Sequence, residues 1–328
     1  MDAKDQAGAI VEDMLNCIEV IKVVDLNYEY PGLRALEDIN FSIAPGSITA
    51  LVGPNGAGKT TLMRCLAGLT KPLQGEISVY GVDVIKSPRE SHLLMGYLAD
   101  SFGVYNDLTV RQCLTYVAMA QRIEQESISK RVEQVARDLD LEHKLENQAQ
   151  ELSRGMRQRL AIAQAIIHEP KVLILDEPAS GLDPEARFEL AELFVRLRDA
   201  GMTLLVSSHI LAELEQYSTE MLIIDQGRIV DHSPISSDQK IKLKHLQLDL
   251  LRSNKKAVGI LGNNKYVQDL VVENERFLFG FTGSANQQQS LLKELIMADI
   301  PVVSLQEVKQ NLQSAYLAKI KKGGLDEN

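Results

Sequence analysis

The stretch Gly53-Pro-Asn-Gly-Ala-Gly58-Lys59-Thr60 restricts the fold of this 328-residue chain more than any other. Gly53, Gly56 and Gly58 alternate with Pro54, Asn55 and Ala57, and a lysine with two threonines follows directly. The apolar run ITALV ahead of the glycines reads as a strand, and TTLMRCLAGL behind them reads as a helix. Glycines let the backbone curl until several N–H groups point into one hollow, and the helix N-terminus adds its positive end there. Such a loop cradles phosphates. In it Lys59 neutralises β- and γ-phosphates, the Thr60 hydroxyl is a ligand for Mg²⁺, and Thr61 reaches an α-phosphate oxygen.

A second motif completes the chemistry. Lys171-Val-Leu-Ile-Leu-Asp176-Glu177-Pro178 is a short apolar strand that ends in two carboxylates. Four consecutive apolar residues suit a strand buried on both faces. At its end Asp176 is placed to hold the magnesium, directly or through water. Glu177 is placed to orient and deprotonate an attacking water. His209 follows the apolar run MTLLV at the end of another expected strand. Parallel strand ends converge on one crevice, so His209 is either a structural histidine or a sensor of the γ-phosphate.

Leu152-Ser-Arg-Gly-Met156 opens a helix. Ser153 is its expected N-cap, and Met156, Leu160, Ala163 and Ile167 form its apolar face. A Ser-x-Gly helix start is a second anion site. Further on, Ser180-Gly-Leu-Asp183 precedes Pro184, which marks Asp183 as another N-cap and Gly201 as the stop of that helix.

Taken in this order, these motifs resemble the nucleotide-binding subunit of an ATP-binding-cassette (ABC) transporter over roughly residues 18–233. The resemblance implies an Mg²⁺-dependent ATPase of α/β class. Its P-loop NTPase core would have a mixed, largely parallel sheet, an antiparallel N-terminal β subdomain and a helical insertion. It also implies that two cassettes pair head to tail around two ATP molecules. Ser153 and Gly155 of one chain would then complete the γ-phosphate site built on Lys59 of the other, and Ser180–Asp183 would couple the two sites. Tyr30 matches the aromatic that stacks on adenine, with Tyr28 as the fallback.

Three positions depart from the family pattern. Arg154 and Met156 stand where a glycine and a glutamine are usual, a variation that resembles a subgroup of bacterial exporter cassettes. Asp100, in GYLADSFGV, occupies the position of a glutamine that contacts the metal and the attacking water. A shorter, charged side chain there adds a third carboxylate beside Asp176 and Glu177. Asp100 is therefore expected to keep a metal-sensing role while altering the response to the partner.

The rest of the chain sets the context. Thirty-five basic residues against 45 acidic ones leave a formal charge of −10, which argues against nucleic acid as the main partner. No apolar run reaches the roughly 18–20 residues of a membrane-spanning helix, and the start lacks a secretory signal pattern. Cys17, Cys65 and Cys113 are odd in number and in no metal spacing, as expected of reduced structural thiols in the cytoplasm. Expected organisation is an N-terminal extension over 1–17, the ATPase domain over 18–233 with its helical insertion at about 104–150, a small α/β accessory domain over 238–322, and a tail over 323–328. In the accessory domain Lys240, Lys242 and Lys244 alternate as on a solvated strand edge. Leu305, Val308, Leu312, Ala315 and Ile320 have helical spacing.

The expected function is thus ATP-driven transport through a separately encoded permease, docked near Phe102–Val110 at the cytoplasmic face of the cell membrane. Export is the favoured direction, and the accessory domain also resembles the tail of exporter cassettes. The other class open to such a chain is a soluble ABC ATPase acting on ribosomes or nucleic acid. Relatives of that class carry two cassettes, long coiled coils or zinc modules, none of which is evident here.

Overall fold

The computed structural model describes residues 19–208, 214, 216–235, 244–252 and 254–307. The chain divides into two units with the boundary after Ile235.

In the first unit, β1 (Ile21–Tyr30) and β2 (Leu33–Ile43) form an antiparallel hairpin around the turn Pro31–Gly32. They join β4 (Gln74–Val79) and β5 (Val82–Asp83) in an antiparallel sheet of order β2-β1-β4-β5. The other sheet contains β3 (Ile48–Val52), β6 (Met95–Leu98), β7 (Val172–Leu175), β8 (Thr203–Ser207), β9 (Glu220–Asp225) and β10 (Arg228–Pro234), in the order β10-β9-β3-β8-β7-β6. Neighbours from β9 to β6 run parallel, and only the β9–β10 hairpin is antiparallel. Every residue of β3, β7 and β8 is buried, which is why these strands read as continuous apolar runs without alternation.

The order of this sheet decides where chemistry can occur. Strand β3 lies between β8 and β9, and its carboxyl end leads into the glycine-rich loop and α1 (Lys59–Leu66). The carboxyl end of β7 leads to Asp176, that of β8 ends in Ser207, and that of β6 runs into Asp100. All four polar groups therefore collect along one edge, where open α/β sheets hold their ligands. On the opposite edge Glu220 joins three segments, accepting from Ser47 Oγ at 3.0 Å and from Thr49 Oγ1, with His232 Nε2 at 3.2 Å. Burial pushes its carboxyl up, but hydrogen bonds from His232, Thr49 and Ser47 outweigh this and hold it below its ordinary value.

Between β6 and β7 lie α3 (Val110–Ala120) and α4 (Gln125–Asp138), after the short α2 (Pro88–Leu94) that precedes β6. A reciprocal capping box between Thr109 and Gln112 starts α3. These helices attach to α5 (Arg154–Ile166) through Arg131, whose guanidinium donates to the carbonyls of Ile166 (2.9 Å) and Ile167 (2.7 Å). Those carbonyls end the helix without intrahelical partners, so the charge sits where the helix dipole favours it. Helix α6 (Pro184–Asp199) precedes β8. Cys65 and Cys113 are buried free thiols, and burial pushes both up from the ordinary thiol value.

The second unit runs β11 (Lys244–Leu250), α7 (Lys255–Asn263), β12 (Val267–Glu273), β13 (Arg276–Phe281), α8 (Ala285–Met297) and β14 (Val302–Glu307). Its sheet has the order β12-β13-β11-β14 with antiparallel neighbours throughout, a split βαβ arrangement. Leu246, Leu248, Leu250, Phe277, Phe279 and Phe281 bury one face with Leu261, Leu291 and Leu295 from the helices.

Two expectations are corrected here. Strand β11 is not an edge, because β13 and β14 pair with it on both sides, so Lys244 begins an interior strand. Lys240 and Lys242 lie outside the described residues. Leu305 belongs to β14 rather than to a helix, and the remaining members of that expected helix also lie outside the described residues. The same holds for the 1–17 extension and the 323–328 tail. Among the described residues no helix is long and apolar enough to cross a membrane.

Candidate nucleotide site

A cleft of about 750 Å³ opens at the carboxyl edge of the parallel sheet. Asn55, Gly56, Gly58, Lys59, Thr60 and Thr61 line one wall, and Asp100 and Glu177 face it from β6 and β7. Gly58 has φ of +107°, and a Cβ there would lie 2.8 Å from the Ala35 carbonyl. No L side chain fits that turn. Lys59 is buried, and its ammonium donates to the carbonyls of Gly53 (2.7 Å) and Pro54 (3.2 Å). Ala57, also buried, accepts from Gly227 N–H at 3.0 Å, which anchors the loop to the β9–β10 turn.

Tyr30, at the end of β1, lines the cleft, and its hydroxyl lies 3.4 Å from Thr61 Oγ1. Tyr28 packs against the core and meets Tyr30 edge-to-face at 5.0 Å between centroids. Of the two tyrosines, only Tyr30 is at the cleft.

Asp176 is 1 % exposed. Its N–H donates to the Leu98 carbonyl at 2.9 Å, and its Oδ1 accepts from Ser207 Oγ at 2.7 Å. Its Oδ2 is buried and has no hydrogen-bond partner. Glu177 has φ of +47°, an uncommon backbone for a residue with a side chain, and its N–H donates to Ser207 Oγ at 2.9 Å. One hydroxyl thus fixes both acidic residues. The sequence points to His209, two residues on, but gives no signal for Ser207. Tyr97, half-buried in β6, is pushed up to about 12 by burial and then by the Asp176 carboxylate, so it stays neutral.

Magnesium, which the family implies, can be tested against these atoms. An unpartnered buried carboxylate oxygen costs free energy unless something positive meets it. Asp176 Oδ2 is such an atom, and hard oxygen donors suit Mg²⁺. No group of three or more His, Cys, Asp or Glu among the described residues is placed to hold a metal. Thr60, nucleotide and water oxygens would therefore have to supply the other ligands, as is usual for this ion. The residues fit.

Other expected members stand apart. Ser153 N-caps α5, its Oγ accepting from Met156 N–H at 3.2 Å, and Asp183 N-caps α6, its Oδ1 accepting from Ala186 N–H at 2.8 Å. Neither these two nor Gly155 lines the cleft. A second groove of about 450 Å³ adjoins it, sharing Asp100, Glu177 and Ser180 and adding Phe102, Arg154 and Arg157. His209 lies outside the described residues.

Removing the Ser207 hydroxyl leaves a buried carboxylate oxygen and the Glu177 N–H unpaired. Ser207→Ala is expected to lower turnover about tenfold or more by misplacing Glu177. Ser207→Thr, which keeps a hydroxyl, restores part of it. Steady-state ATPase rates of the two variants check this.

A glycine-rich loop between a parallel strand and a helix, faced by two strand-end carboxylates, defines a nucleoside-triphosphate-binding cassette. Residues 36–180 match the family model described as ABC transporter. The bacitracin transport ATP-binding protein BcrA of Bacillus licheniformis is 32% identical over 306 residues, which are 93% of this chain and 98% of that protein. The probable multidrug ABC transporter ATP-binding protein YbhF of Escherichia coli is 38% identical over 213 residues, 64% of this chain but 37% of that one. Among solved structures, an ATP-binding subunit of an ABC transporter aligns with a TM-score of 0.59 at 32% identity, covering 66% of this chain and 90% of its own. The cbiO1 protein of Clostridium perfringens, part of the transporter complex cbiONQ, aligns with a TM-score of 0.61 at 30% identity over 66% of this chain and 89% of its own. The chain belongs to the ATP-binding subunits of ABC transporters and is an ATPase.

Proposed function

We propose that this chain is the energy-coupling subunit of an exporter, and that two copies pair head to tail and drive a separate membrane permease from the cytoplasmic face of the cell membrane. The observation that carries the pairing is the incompleteness of the cleft: Ser153 and Gly155 lie outside the wall formed by Lys59 and Glu177 of the same chain. A second copy is the simplest source of those groups. Export is supported by the names of relatives, a bacitracin transport protein and a probable multidrug transporter.

Each residue then has a task. The Tyr30 ring stacks on adenine. Loop N–H groups and the α1 N-terminus receive the phosphates, and Lys59 exchanges its carbonyl partners for phosphate oxygens. Thr60 and Asp176 would hold Mg²⁺, which when bound would supply positive charge against that developing on the phosphates. Glu177 orients a water and takes its proton, and His209 senses the γ-phosphate. Ser153 and Gly155 close the site from the partner chain, and the Ser180–Asp183 loop, which ends in the helix cap Asp183, couples the two sites.

Asp100 and Phe102 link the cleft to the surface where the permease is expected. Both line the adjoining groove, and Phe102 also lines a third hollow of about 320 Å³ with Leu69, His92 and Gln121. In a complex with its permease, Asp100→Gln should change partner-stimulated ATPase severalfold while ATP affinity stays within about twofold. Equal stimulation in both forms would remove Asp100 from the coupling route. Co-purification with ribosomes or nucleic acid in place of a membrane protein would overturn the transport reading.

A further inference from the structure

Arg154 is the first residue of α5, at the position where the family usually has a glycine. Its side chain is exposed, yet the guanidinium is laid against the protein. One terminal nitrogen donates to the Ser180 carbonyl at 3.0 Å. The guanidinium also lies over Gly181: an added Cβ at that glycine would collide with three of its atoms, both terminal nitrogens and the central carbon. Gly181 has φ of +67°, so its bare backbone serves both the turn and the flat cation above it.

The loop beneath this cation is tied to the chemistry. Ser180 N–H donates to the Glu177 carbonyl at 3.0 Å, and Leu182 N–H to the Ala179 carbonyl at 3.2 Å. Ser180 itself lines both the cleft and the adjoining groove. From Arg154 to Glu177 the path is two hydrogen bonds and one residue. Arg154 meanwhile sits between Ser153 and Gly155, the two residues assigned to the other copy's nucleotide. A glycine at 154 has no side chain with which to make this link.

We propose that Arg154 is a positioning residue that ties the helix start serving one nucleotide site to the Glu177 serving the other, so that occupancy of each site is reported to its neighbour. This rests on the head-to-tail pairing proposed above. A displacement of the α5 start by a nucleotide in the second site would pull on the Ser180 carbonyl and, through the Ser180–Glu177 bond, on the Glu177 backbone. That backbone is held on its other side by Ser207 and has an uncommon φ, so a small pull re-aims the carboxylate rather than being absorbed.

The test compares full-length wild type, Arg154→Met and Arg154→Lys in steady-state ATPase assays, with nucleotide binding measured separately on each. Wild type is expected to respond to ATP with a Hill coefficient above 1, approaching the limit of about 2 for two sites. Arg154→Met keeps an unbranched stem, though a shorter one, and has no donor. It should bring the coefficient to about 1 and lower kcat about tenfold, with the binding constant for ATP unchanged. Arg154→Lys keeps one donor and should recover part of both. A merely structural arginine would shift thermal stability in the two variants and leave the Hill coefficient alone. Wild-type cooperativity retained in Arg154→Met overturns the proposal while pairing stands. Non-cooperative wild type that also fails to dimerise with ATP overturns pairing, and this proposal with it.

Discussion

Glu177→Gln is expected to bind ATP with near wild-type affinity, lose turnover by roughly 10²–10⁴ and accumulate as a closed dimer. The substitution removes the base but keeps the size of the side chain. It also leaves the backbone that fixes the position: the N–H still donates to Ser207 Oγ and the carbonyl still accepts from Ser180 N–H. The site therefore assembles around nucleotide and stops before hydrolysis. Size-exclusion chromatography with ATP and Mg²⁺, beside single-turnover hydrolysis, reads both effects. Normal hydrolysis would remove Glu177 from its assigned role, and a monomer under saturating ATP would remove the pairing.

The second large effect is expected at Asp176. Asp176→Asn preserves shape and leaves an oxygen to accept from Ser207, so folding should survive. The introduced amide, however, puts donor hydrogens where the unpartnered carboxylate oxygen now lies. A cation cannot use them. Turnover should fall on the order of 10²-fold or more at ordinary Mg²⁺ concentrations, with part recovered by raising the metal. Nucleotide binding measured with and without Mg²⁺ separates this from misfolding: wild type should bind more tightly with the metal and the variant should lose that difference. An Mg²⁺ dependence equal to wild type would take Asp176 out of the metal site.

Local features of the sequence carried most of the fold that positions this site. The glycine-rich loop, the four-residue apolar strand before Asp176 and the caps at Ser153 and Asp183 each depend on neighbours within a few residues, so their spacing alone reveals them. What escaped depends on distant pairing. Ser207 meets Asp176 across 31 positions, and Arg154 meets Ser180 across 26, and neither contact leaves any periodicity. Lys244 misleads for the same reason: alternation shows that β11 is a strand, but only its partners β13 and β14 show that it is interior. Leu305 misleads because a three- to four-residue apolar spacing can begin inside a strand and continue past it.

The ammonium of Lys59, held by the carbonyls of Gly53 and Pro54, has a consequence for what the cleft will accept. A buried cation with neutral acceptors is satisfied but not neutralised. Any ligand must therefore compete for that cation, and only one bringing formal negative charge replaces ammonium–carbonyl hydrogen bonds with ion pairs, which add charge–charge attraction to the hydrogen bond. A nucleoside without phosphates offers no such exchange, however well its base fits against Tyr30. The loop thus acts as a threshold on charge, rejecting by energetics what the aromatic wall would admit by shape.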